Sequence, residues 1–166
     1  MILGMSTATY TFLHVLISLI GIFSGLIVMF GLLTGKRFDT LTLIFLATTV
    51  LTSITGFGFP FDHLLPSHIV GIISLVVLAI AGSARYLLHL AGRWRTTYVV
   101  SASIALYLNV FVLIAQLFLK VPALKALAPT GKEPPFLVAQ LSVMAVFVAL
   151  TIFAAKRFHI EPTPAA

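Results

Sequence analysis

From Tyr10 to Leu33 no side chain carries a formal charge. A helix of about 20 residues crosses a hydrocarbon core of about 30 Å, so this run alone is long enough to span a bilayer. The pattern recurs from about Thr40 to Gly58, His68 to Ala91, Thr97 to Leu119 and Phe136 to Ala155. Only the third run holds a permanent charge, Arg85. It lies near the end of the run, where its long stem lets the guanidinium extend toward the interface. The runs are apolar all round and do not alternate, which argues against barrel strands. A helix also satisfies its own backbone hydrogen bonds in lipid. The expected fold is an all-α integral membrane protein, one domain over residues 1–166, with a bundle of five transmembrane helices.

Composition agrees. Charged residues make up 8% of the chain, against about 25% in soluble domains. So few charges cannot cover a water-facing surface. With no cysteine, the chain has no disulfides, thiolate metal sites or thiol redox chemistry. The net charge of +6 does not point to nucleic acid, because the ten basic residues fall in short segments between apolar runs. The first run reads as a retained span rather than a cleaved signal peptide: it is too long, and neither a basic segment before it nor a small-residue cleavage pattern after it is present. The tail HIEPTPAA is expected to fray.

Basic residues also predict the threading. Lys36, Arg37, Arg85, Arg93, Arg95, Lys156 and Arg157 share one side of a five-span topology. The opposite side receives FPFDHLLPS and the loop KVPALKALAPTGKEPP, which holds Lys120, Lys125 and Lys132. The positive-inside rule makes the first side cytoplasmic, with a periplasmic N-terminus and a cytoplasmic C-terminus. Tyr86, Trp94 and Tyr98 read as inner interface anchors, and Tyr10, Phe59, Phe61 and Phe136 as outer ones.

Small and hydroxyl residues recur at helical spacing. His14, Ser18, Gly21 and Gly25 form one stripe, and Gly21 and Gly25 allow close backbone approach. Thr49, Ser53 and Gly56 line one face of the second span, with Thr48, Thr52 and Thr55 beside them. These stripes read as inner faces of the bundle, or as faces for self-association.

The stretch FPFDHLLPSH, residues 59–68, raises the functional question. Pro60 and Pro66 interrupt helices, Asp62 suits a turn cap, and Ser67 suits the cap of the third span. The histidines ask for more. His14, His68, Gln116 and Gln140 come from four spans and fall within about 6 Å of one depth. Asp62 and His63 hang above that layer, and Asn109 lies deeper. Polar groups in a membrane are costly unless paired, so the layer is expected to face inward.

Three chemistries compete for it. Two neutral imidazoles at matched depth, His14 and His68, suit the axial positions of a b-type haem. His14, His63, His68 and Asp62 have ligand types suited to zinc, although five residues across a proline is no recognised metal spacing. Alternatively the layer is the outer mouth of a proton or solute conduit, with Asn109 part-way along and Arg85 and His89 at the far end.

Phosphate-binding glycine loops, GxSxG, HExxH and dinucleotide fingerprints are all missing, and the chain has four acids. An enzyme is therefore not expected. A non-enzymatic accessory subunit docked on a larger membrane complex, or a small-ligand binder, suits five spans with little mass outside the bilayer.

The run from FLATTVLTSITGFGFPFDHLLPSHIVGIISLVVLAIA to ALYLNVFVLIAQLFLKVPALKALAPT resembles a group of small bacterial multi-pass membrane proteins with no assigned activity. The resemblance implies a bacterial inner-membrane location and carries over no functional residue.

Overall fold

The computed structural model describes residues 1–63 and 65–159; Leu64 and the tail from Ile160 onward, which is all of the segment expected to fray except His159, lie outside the described residues. Five helices are long and apolar enough to cross a membrane. They are α1 (Thr7–Thr34), α2 (Asp39–Gly56), α3 (Pro66–Gly82) carried on by a π-helical turn to Leu87, α4 (Trp94–Lys120) and α6 (Pro134–Arg157), with a short α5 (Pro122–Leu127) before the last. The loop KVPALKALAPTGKEPP thus contains a turn of helix that its sequence did not announce.

The ends of the helices follow local chemistry. Ser6 caps α1, its side chain accepting from the Thr9 N–H at 3.1 Å. Gly35 closes α1 with φ of 70°, a left-handed conformation that glycine adopts without a Cβ penalty. At the opposite end of the bundle α3, α5 and α6 each carry proline in the first turn, where the missing N–H costs no helical bond.

The third span stops short of Ala91. After Gly82 the chain passes through a π-helical turn, Ser83–Leu87, in which the Leu88 N–H donates to Ser83 O at 2.9 Å. His89 and Leu90 then take left-handed backbone conformations, with φ of 48° and 59°. Such positions cost about 1–2 kcal/mol each for residues with a Cβ. Burial of the Leu90 side chain offsets this, since it joins the core beside Ala84 and Tyr98.

Consecutive long helices pack side by side: α1 on α2, α2 on α3, and α3 on α4, with α4 returning to α1. The α6 helix lies outside this ring, against α1 and α4. The core gathers on one half of the ring, where Phe45, Leu106, Val28, Leu78 and Tyr98 meet. Gly25 makes this possible. A Cβ there would stand 2.6 Å from Leu106 Cδ1 and 2.8 Å from the Phe45 ring, so α1 approaches its neighbours only as glycine. The Gly21 position is nearly as tight against Thr48, Thr49 and Asn109.

Two expected interface anchors are core residues instead. Tyr98 is fully buried, and Tyr10 is buried with its hydroxyl donating to Thr55 O at 2.8 Å. Arg85, expected to reach outward, is also buried; it pairs with Asp39 and lies 5.3 Å from the Tyr98 ring centroid. Arg85 lies within the π turn, and its guanidinium points inward rather than toward lipid.

Candidate functional site

The helix ring is not filled at the end opposite Arg85. A cavity of about 530 Å³ opens there between α1, α2, α3 and α4. Its walls are mostly apolar: Val15, Leu19, Ile22, Phe57, Val70 and Leu113. His14, Ser18, Thr52, Ser53, His68, Ser74, Asn109, Gln116 and Lys120 supply the polar lining. An apolar chamber of this size with a few polar groups is the ordinary form of a small-molecule site.

The expected polar layer is therefore assembled in part. His14, His68, Asn109 and Gln116 border the one cavity. Gln140 does not. It sits on α6, outside the ring, and its Nε2 donates to Phe111 O across the α4–α6 contact at 3.0 Å. Asp62 and His63 are exposed on the turn and are not among the cavity residues. The zinc set is not assembled: among the described residues no three His, Cys, Asp or Glu side chains gather as a metal group. Ser67 does not cap α3 either. Leu65 holds the cap position, and its N–H is taken by the His68 ring.

The two histidines are fixed in different ways. On α1, half-buried His14 places Nδ1 2.8 Å from Thr55 Oγ1 on α2. Thr55 Oγ1 also lies 2.7 Å from the Leu51 carbonyl oxygen, to which it donates. One hydroxyl proton serves one acceptor. Were it turned to His14, two acceptors would face each other at Leu51. The consistent chain is His14 Nδ1–H to Thr55 Oγ1–H to Leu51 O. Phe59 closes on the imidazole edge-on, with ring centroids 5.2 Å apart.

His68 is the reverse. Its Nδ1 accepts the Leu65 backbone N–H at 3.0 Å. A backbone amide can only donate, so in the neutral ring the proton sits on Nε2. Phe57 and Phe61 lie against the ring at 5.4 and 4.2 Å between centroids, and the residue is 4% exposed. Among the described residues neither histidine gives its Nε2 a protein partner.

This arrangement does not fit a bis-histidine haem. An axial imidazole offers the iron a lone pair on one nitrogen and holds a proton on the other. The His68 Nδ1 lone pair is engaged at the helix cap, and Nε2 bears the hydrogen. Ligation through Nε2 would require breaking the cap bond.

The cavity ends near mid-span. Asn109 Nδ2 reaches Thr49 Oγ1 at 3.4 Å, and one helical turn further in Phe45 and Leu106 are each 1% exposed. That floor is apolar and close-packed. Arg85 and His89, the far end of the expected conduit, lie beyond it.

Sequence reasoning missed the groups that orient the histidines. In the sequence Thr55 stands only within a hydroxyl stripe, and nothing marks Phe57. Lys120 was counted as a loop charge, yet it borders the cavity mouth. No spacing rule marks these, because each acts across helices.

Helix length and hydropathy together define a small multi-pass integral membrane protein. Comparison with protein-family models, curated proteins and solved structures gives no match.

Proposed function

We propose that this protein is a non-enzymatic membrane receptor or carrier for a small amphipathic molecule, which it holds in the chamber between α1, α2, α3 and α4. The observation that carries this reading is the pairing of an apolar chamber of about 530 Å³ with two oriented imidazoles at its border. Each ring commits Nδ1 to the protein and keeps Nε2 without a protein partner among the described residues. The closed floor at Phe45 and Leu106 favours binding over conduction. We place the chain in the inner membrane of a bacterium, with the chamber facing the periplasm. Seven basic residues at the Arg85 end against three at the histidine end support that direction.

Naphthalene, a rigid apolar probe of suitable size, tests the chamber. Added to detergent-solubilised protein, it is expected to raise the Tm of the wild type. Leu113→Trp places an indole in the chamber and is expected to remove that response while the variant still unfolds cooperatively. An equal rise in both proteins would overturn the reading.

A further inference from the structure

The ligand's polar group follows from the proton positions on the two imidazoles, and this step rests on the chamber being a binding site. His14 gives its Nδ1 proton to Thr55, so its Nε2 presents a lone pair. His68 takes the Leu65 N–H on Nδ1, so its Nε2 presents a hydrogen. The two rings thus offer one acceptor and one donor, each fixed by a hydrogen bond on the other side of the ring. Neither ring turns over without losing that bond.

We infer that the chamber selects an uncharged amphiphile headed by a hydroxyl group, aliphatic or phenolic. In this assignment the two Nε2 atoms serve one head group: a hydroxyl donates to His14 Nε2 and accepts from His68 Nε2–H, so neither ring is left without a partner. A carboxylate only accepts, so it would need His14 to take up a proton on Nε2, and the mostly apolar wall opposes charging the ring. An ammonium only donates, and it would meet the His68 hydrogen. An ether accepts and leaves His14 without a donor. Unpaired polar groups in an apolar surrounding are expensive, so a mismatch at either ring penalises the wrong head group.

Lys120 is the charged group of the lining that argues for an anion. It is exposed at the rim at the last turn of α4, where its ammonium reaches water and its stem lines the wall. An exposed lysine gives little selectivity compared with two oriented ring nitrogens within the wall. Three of the other lining hydroxyls offer little competition. Ser18, Thr52 and Ser53 each donate to a carbonyl of their own helix four residues back, at 2.8, 2.9 and 3.0 Å.

Four naphthalene-bodied probes separate the alternatives: naphthalene itself, β-naphthol, its methyl ether and naphthoate. They are titrated against the full-length protein in lipid nanodiscs, with empty nanodiscs as the partition control. β-Naphthol is expected to bind about tenfold more tightly than the methyl ether, as one matched hydrogen bond predicts. It is also expected to bind more tightly than naphthoate. Thr55→Val removes the acceptor that fixes His14 and is expected to shrink the naphthol preference over the methyl ether to about twofold or less, with naphthalene titrated in the same variant to read any change in the chamber itself. If all four bind with similar affinity, the chamber stands and the hydroxyl assignment falls. Tightest binding of naphthoate reassigns the selectivity to Lys120 and also overturns it. If none binds above the empty-disc control, the chamber reading falls with it.

Discussion

Arg85, inside the bundle at the π-helical end of α3, donates to Asp39 Oδ1 at the first turn of α2. The two partners are unequally placed, with side-chain exposures of 5% and 68%. Asp39 also lies 3.4 Å from Arg37 Nη2. Arg85 rests in addition against the Tyr98 and Tyr86 rings, at 5.3 and 5.7 Å from their centroids. The pair ties the end of one span to the start of another. The buried member depends on it more than the exposed one.

Asp39→Asn leaves the buried guanidinium without its counter-charge. The expected cost is about 1–2 kcal/mol, less than for a fully buried pair because Asp39 keeps its water. Adding Arg85→Met removes the stranded charge, so the double variant is expected to be more stable than Asp39→Asn alone. Thermal unfolding in detergent reads the order. A double variant weaker than the single one would show that Arg85 contributes mainly through the aromatic stack.

Gly25→Ala and Gly82→Ala are the same chemical change in opposite surroundings. At Gly25 the new Cβ meets Leu106 and Phe45 at 2.6–2.9 Å, whereas at Gly82 nothing lies within 4 Å. The first is expected to destabilise by about 1–3 kcal/mol. The second is expected to be neutral or to stabilise by up to about 1 kcal/mol through helix propensity. Tm values of the two variants, measured side by side, check the contrast.

Glu133 organises the turn before α6. Desolvation acts to raise its carboxyl pKa. Hydrogen bonds from the Thr130 hydroxyl, the Thr130 N–H and the Lys132 N–H outweigh that and hold the pKa at about 2, below its ordinary 4.5. A depressed carboxylate contributes its stabilisation above the ordinary value, and that contribution is lost as pH falls from 4.5 through about 2. Carbon-detected NMR of the side chain is expected to give a midpoint near 2. A midpoint at the ordinary value would mean the turn does not hold together in solution.

The absence of native cysteine makes threading directly measurable. Lys125→Cys, at the histidine end, is expected to react with an impermeant maleimide added outside spheroplasts. Lys36→Cys, at the Arg85 end, is expected to react only after lysis. Both positions are exposed. The opposite labelling would turn the chamber toward the cytoplasm.

The five spans were legible in the sequence because lipid imposes a one-dimensional rule. An uncharged run long enough to cross must be helical, and its approximate ends follow from charge and proline. Gly21 and Gly25 were legible for the same reason: close approach needs small residues at a fixed period on one helix. The roles of Gln140, Tyr10 and Tyr98 were not. Depth along a span is a sequence coordinate, but rotation about the helix axis is set by packing against neighbours. Gln140 matched the other polar residues in depth and yet lies on the helix outside the ring.

The sequence by itself determined that this chain is built for a bilayer and gave the approximate course of its five spans. Tertiary structure decided which of their residues meet. It turned Arg85 inward through a π-helical turn, closed the core with Phe45 and Leu106, and brought Thr55 to His14 and the Leu65 amide to His68. The physical reason is that a ring nitrogen's proton is assigned by its hydrogen-bond partner. For His14 that partner stands on a neighbouring helix, 41 residues away along the chain.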